Sequence, residues 1–141
     1  MDFYEGVDAY LKALNGSWIV LNYIGDNPGR GTCHCSVVSD GSQEKMGRKG
    51  TVFTTVKQSL SELAKVKYNE IPPKDSLDYW IEQNHQILIR PSDKGVEMIA
   101  ENLDDIRIVS TRASSFKEAY ETLETKIAAN KDNLSDLAKG K

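Results

Sequence analysis

Few residues in this chain have the types and spacing that chemistry requires. The two histidines are His34, inside Cys33-His34-Cys35, and His85, at the head of an apolar stretch. A two-histidine phosphoesterase needs two His-x-Ser/Thr elements, one imidazole removing a proton while the other supplies one. His34-Cys35-Ser36 has that form, but His85-Gln86-Ile87 ends on a side chain that cannot hydrogen-bond a phosphate. Cys33, His34, Cys35 and His85 also make four zinc-type ligands. Structural zinc sites use Cys-x₂₋₄-Cys knuckles, however, and Cys-x-Cys on a strand turns the intervening residue to the other face. The same divergence separates His34 from either cysteine as a nucleophile–base pair. Asp104-Asp105 are sequence neighbours at a turn, and no His-x-x-Glu, Asp-x-Asp or paired-Glu pattern gathers acids for metal or acid–base work. The expectation is no catalytic residue, no metal and no cofactor.

Glycine-rich segments offer a different chemistry, anion binding through backbone N–H groups. Gly25-x-x-x-Gly29-Arg30-Gly31-Thr32 lacks the Gly-Lys-Ser/Thr ending of a phosphate loop and leads into a strand, so it reads as a turn that carries Arg30. Met46-Gly47-Arg48-Lys49-Gly50-Thr51 is basic and runs toward an expected helix start, where the helix dipole favours an anion. This segment resembles the Gly-x-x-Gly loop of KH domains, which clamps a nucleic-acid backbone. Phe53 and Val56 fall where that family places apolar residues after the loop, whereas Gly41 to Lys45 is too polar for the helix that a KH domain packs before it. The ligand-binding candidates for a nucleotide or RNA are therefore Arg30, Gly47, Arg48, Lys49 and Gly50.

The elements that would carry these residues follow from periodicity. Phe3, Val7, Tyr10, Leu11 and Leu14 predict a helix over 3–14. Trp18 to Ile24, nearly all apolar and rich in β-branched and aromatic residues, predicts a central strand. Thr32 to Ser39 alternates, with Cys33, Cys35 and Val37 on one face, and should form a hairpin with it. After the polar 40–50 stretch, Thr55 and Gln58 have capping-box spacing ahead of the stripe Val56, Leu60, Leu63 and Ala64. Pro72-Pro73 breaks the chain before a short helix, capped by Asp75 or Ser76, with Leu77, Trp80 and Ile81. Strands are predicted over 85–90, 96–100 and 106–111, the first two joined at Pro91 to Gly95. Ser115 and Glu118 cap a last helix with the stripe Phe116, Tyr120, Leu123 and Ile127.

The order is α-β-β-α-α-β-β-β-α. It implies an α+β fold, a largely antiparallel sheet of about five strands with helices packed on it. Residues 1–130 are expected to be one domain, and 131–141 a tail or docked helix. Small profilin-like and roadblock-like scaffolds are similar in element order, a resemblance that implies a fold and no function.

With 141 residues and a net charge of −3, the chain is not one that binds nucleic acid through bulk charge. Its charge is segregated: residues 1–26 carry Asp2, Glu5, Asp8 and Asp26 against Lys12, and residues 27–60 carry Arg30, Lys45, Arg48, Lys49 and Lys57 against Asp40 and Glu44. Two cysteines are too few for a secreted disulfide framework, no apolar run reaches the ~20 residues of a membrane helix, and the acidic N-terminus is unlike a signal peptide. The expected location is the cytoplasm. Tyr79 and Trp80 are consecutive on a short helix and cannot share a face, which makes them interface candidates. These features point to a non-enzymatic binding protein of bacterial or phage regulator or inhibitor type that acts on a protein partner, with a homodimer also open. The alternative is the phosphate-ligand binder.

Overall fold

The central strand is the one whose sequence is most apolar. In the computed structural model, which describes residues 2–14, 17–24, 32–39, 51–53, 55–67, 73–83, 85–102 and 107–129, β1 (Ser17–Ile24) pairs on one side with β2 (Thr32–Ser39) and on the other with β4 (Gln86–Ser92). β2 continues to β3 (Thr51–Phe53), and β4 to β5 (Gly95–Glu101) and β6 (Arg107–Ala113). Among the described residues the sheet has six strands in the order β3-β2-β1-β4-β5-β6, every pair antiparallel. Among the described residues four helices accompany it: α1 (Phe3–Lys12), α2 (Val56–Ala64), α3 (Ser76–Glu82) and α4 (Phe116–Ala129).

The α+β class and the antiparallel sheet agree with expectation, but the strand count and the order do not. The order is α-β-β-β-α-α-β-β-β-α, so the expected five strands become six and the likeness in order to profilin-like and roadblock-like scaffolds fails in the first half. The added element is β3, whose three residues follow Gly50 directly and pair with Cys33, His34 and Cys35. Three residues are too few to show a period, which is why the alternation rule passes over them.

Strand alternation divides the sheet into two unlike faces. Val37, Ile19, Ile89, Met98 and Thr111 form one cross-strand row, and Cys35, Leu21, Ile87, Ala100 and Val109 the next. Nearly all of these are buried against the apolar stripes of the helices: Phe3, Val7 and Leu11 from α1, Val56, Leu60 and Leu63 from α2, Leu77, Trp80 and Ile81 from α3, and Phe116, Tyr120, Leu123 and Ile127 from α4. Burying a side chain of this size contributes roughly 1.5–3 kcal/mol, so this layer dominates stability. No described helix packs on the opposite face, where Trp18, Val20, Leu88, Arg90, Glu97, Ile99 and Arg112 alternate with the core rows.

The helices are fixed to one another by carboxylates. Asp2 caps α1 with Glu5 in a capping box. Asp8 of α1 accepts a hydrogen bond from the Phe116 N–H at 3.1 Å, so one helix caps the start of another. Asp75 caps α3 through the N–H groups of Leu77 and Asp78, and its Oδ2 accepts from the Tyr120 hydroxyl of α4 at 2.7 Å. Buried Asp78 accepts from Asp75 N at 2.9 Å and from Val56 N, the first residue of α2, at 2.7 Å. Two aspartates thereby join the starts of α2 and α3 to the middle of α4.

Candidate functional site

The face that no described helix packs against carries a polar group that a β-sheet surface would not bury without reason. Glu97 lies near the middle of β5 and is only 3% exposed. Register sets it between Arg90 on β4 and Arg112 on β6. Arg90 Nε donates to Glu97 Oε1 at 2.7 Å, and its Nη2 lies 2.7 Å from the same oxygen. Arg112 Nε donates to Oε2 at 3.1 Å. Burial alone would push the Glu97 carboxyl up, but the hydrogen bonds and charges of Arg90 and Arg112 more than offset it and hold the group below the ordinary carboxylate range. Glu97 is thus a fixed anion, and the two guanidiniums are held over it.

The arginines are not themselves buried. The Arg90 side chain is 45% exposed and that of Arg112 74%. They open into a concavity of about 870 Å³, whose lining also includes Trp18, Ser92, Lys94 and Ser114. Trp18 is half-buried and stands on β1 one residue beyond the Ile19–Ile89 pair, opposite Arg90. The turn Asp93–Lys94 forms one rim, and Gly95 follows it. Gly95 has φ +149°, and a Cβ there would stand 2.0 Å from the Ala113 carbonyl oxygen, so only glycine lets β5 start this close to β6. A rigid hairpin therefore places Arg90 and Glu97, and a close backbone approach places Arg112.

The carboxylate of the site is paired with two cations, and the Ser114 hydroxyl on its wall donates to Glu118 Oε2 at 2.9 Å at the start of α4. His85 lies elsewhere, 5% exposed, its ring 4.8 Å from that of Trp80. Burial lowers its pKa, so it is neutral near pH 7 and sealed from substrate. Among the described residues, no group of three or more His, Cys, Asp and Glu side chains is placed to hold a metal. Cys35 is buried and in no disulfide.

Arg30, Gly47, Arg48, Lys49 and Gly50 lie outside the described residues. One premise of that reading is corrected all the same. The chain after Gly50 enters β3, and the helix begins only at Val56, so the basic segment does not lead into a helix start. Of the two aromatic interface candidates, Trp80 is 1% exposed and donates its indole N–H to the carbonyls of Gln86 and Glu101 at 3.1 and 3.2 Å. It is a core residue that a partner cannot reach. Tyr79 is half-buried and lines a groove of about 230 Å³ with Asp75, Ser76, Ile127 and Ala128.

The Arg90–Glu97 pair was within reach of the sequence. Both lie at equal distance from the centre of the Asp93–Lys94 turn, and a two-residue turn makes them cross-strand partners. Arg112 was not, because a register shift between Ala100 and Glu101 breaks the count from β5 to β6.

No protein-family model matches the chain, and neither a curated protein nor a solved structure matches it.

Proposed function

We propose that this chain is a non-enzymatic binding protein, a regulator or inhibitor that acts by protein–protein interaction through the end of its sheet that carries Arg90 and Arg112. The observation that carries the reading is the concavity at Trp18, Arg90, Glu97 and Arg112, where ordered charge and an aromatic ring meet on a face that no described helix packs against. Aromatic and arginine side chains contribute most per residue to protein interfaces. The local charge is positive, with Arg90, Lys94 and Arg112 against Asp93 and Glu97. It is therefore complementary to an acidic partner surface.

Site-specific photo-cross-linking in the cells that make the protein tests this. A photoreactive residue in place of Trp18 should give one protein adduct, and the same residue in place of exposed Glu121 on α4 should not. Equal adducts from both positions, or none from Trp18, would overturn the reading. An adduct of twice the chain's own mass would replace it with self-association.

A further inference from the structure

We infer that Arg90, Glu97 and Arg112 form a carboxylate clamp, which takes one carboxylate of an acidic peptide segment while an apolar neighbour of that carboxylate lies on Trp18. This rests on the reading of that end of the sheet as a docking surface and names the chemistry docked there.

The donor count comes first. A guanidinium has five N–H donors. Arg90 directs Nε and Nη2 to Glu97, and Arg112 directs Nε. The remaining donors belong to side chains 45% and 74% exposed at the wall of the concavity. Glu97 fixes both forks in advance, so a second carboxylate meets donors whose side-chain entropy is already spent.

Charge then selects the anion. Two guanidiniums on one carboxylate leave a net charge of +1, and among the described residues the two arginines have no other ion-pair partner. A monoanion brings the cluster to neutrality. A phosphate dianion would set its second charge against Glu97, buried a few ångströms away. The site accordingly prefers a carboxylate, and its width and the indole beside it suit a peptide more than a small free acid.

The test is an NMR titration of the intact chain, reading the Nε–Hε signals of Arg90 and Arg112 and the indole N–H of Trp18. Four probes are compared: an end-blocked Leu-Glu-Leu-Glu peptide, its Gln counterpart, the Gln peptide with a free C-terminal carboxylate, and inorganic phosphate. The Glu peptide should shift all three signals saturably and the blocked Gln peptide should not. The third probe separates a side-chain source of the carboxylate from a chain terminus. Arg112→Gln, at an exposed position, should weaken the Glu peptide about fivefold or more. Glu97→Gln removes the buried anion and should let phosphate bind where the unaltered chain refuses it. Equal shifts with blocked Glu and Gln peptides, no saturable shift, or phosphate binding more tightly than the Glu peptide to the unaltered chain would each overturn the clamp. A specific adduct from position 18 together with any of these would leave the docking surface standing without it.

Discussion

Glu97 and Asp78 are both nearly sealed carboxyls, 3% and 4% exposed, yet they are driven in opposite directions. Glu97 has two cations and is held low. Asp78 has backbone N–H donors but no cation: burial is the largest effect and pushes it from 3.8 to about 7, further raised by the charge of Asp75. The signs of their contributions to stability therefore differ. Glu97 is stabilising above its ordinary range, and that contribution is lost as pH falls through its lowered pKa. Asp78 is stabilising in its protonated form; its contribution is complete below about 3.8 and is lost as pH rises through about 7. One such group changes stability by up to about 1.4 kcal/mol per pH unit. Urea unfolding between about pH 5 and about pH 7 should therefore show a shallower pH dependence in Asp78→Asn than in the unaltered chain; identical slopes would contradict the assignment. Sequence alone does not show Asp78 as special. Asp78 reads as an ordinary acid in the first turn of a helix, and its second partner, Val56 N, is 22 residues away.

At the scale of elements, the chain's own signals were mostly sufficient. Thr55, Asp75 and Ser115 stand where their side chains meet the backbone N–H groups of Gln58, Leu77 and Glu118. The stripes Phe116–Tyr120–Leu123–Ile127 and Val56–Leu60–Leu63 are buried as their spacing requires. Short-range hydrogen bonding and 3.6-residue periodicity belong to the segment itself, so they survive without knowledge of the fold. What the segment does not contain is how helices hold one another. The Tyr120 hydroxyl on Asp75 spans 45 residues, and Lys57 of α2 lies 5.4 Å from the Tyr120 ring and 4.0 Å from Asp75 Oδ2. This arrangement predicts strong non-additivity. Tyr120→Phe leaves Asp75 without its hydroxyl donor, and Asp75→Ala removes a helix cap as well, each costing about 1–3 kcal/mol. The double variant should be more stable than the sum predicts by about 0.5–2 kcal/mol. Additive denaturation energies would show that the two groups do not interact.

For the whole molecule, the legible part was the class and the illegible part was the pairing of its halves. Local turns give β1 with β2 and β4 with β5, because hairpin partners are neighbours in sequence. Nothing in Trp18 to Ile24 announces that its other edge will take Gln86 to Ile89, and the concavity lined by Trp18 and Arg90 exists only once that contact is made. The order β3-β2-β1-β4-β5-β6 is two three-stranded meanders laid edge to edge, and this bears on how the chain folds. Every strand pair except β1–β4 closes over a short stretch of chain. The β1–β4 pair must close over more than sixty residues, and the entropy of that closure has no local compensation. The rate-limiting event should therefore be the joining of the two meanders, with each already part-formed. Truncation of Val96 beside the β4–β5 turn, inside a meander already part-formed, should slow refolding with the highest φ-value of the three, while truncation of Ile19 or Ile89 at the join should give fractional φ-values of about 0.5. Equal φ-values at the three positions would mean that the sheet assembles as one body instead of two.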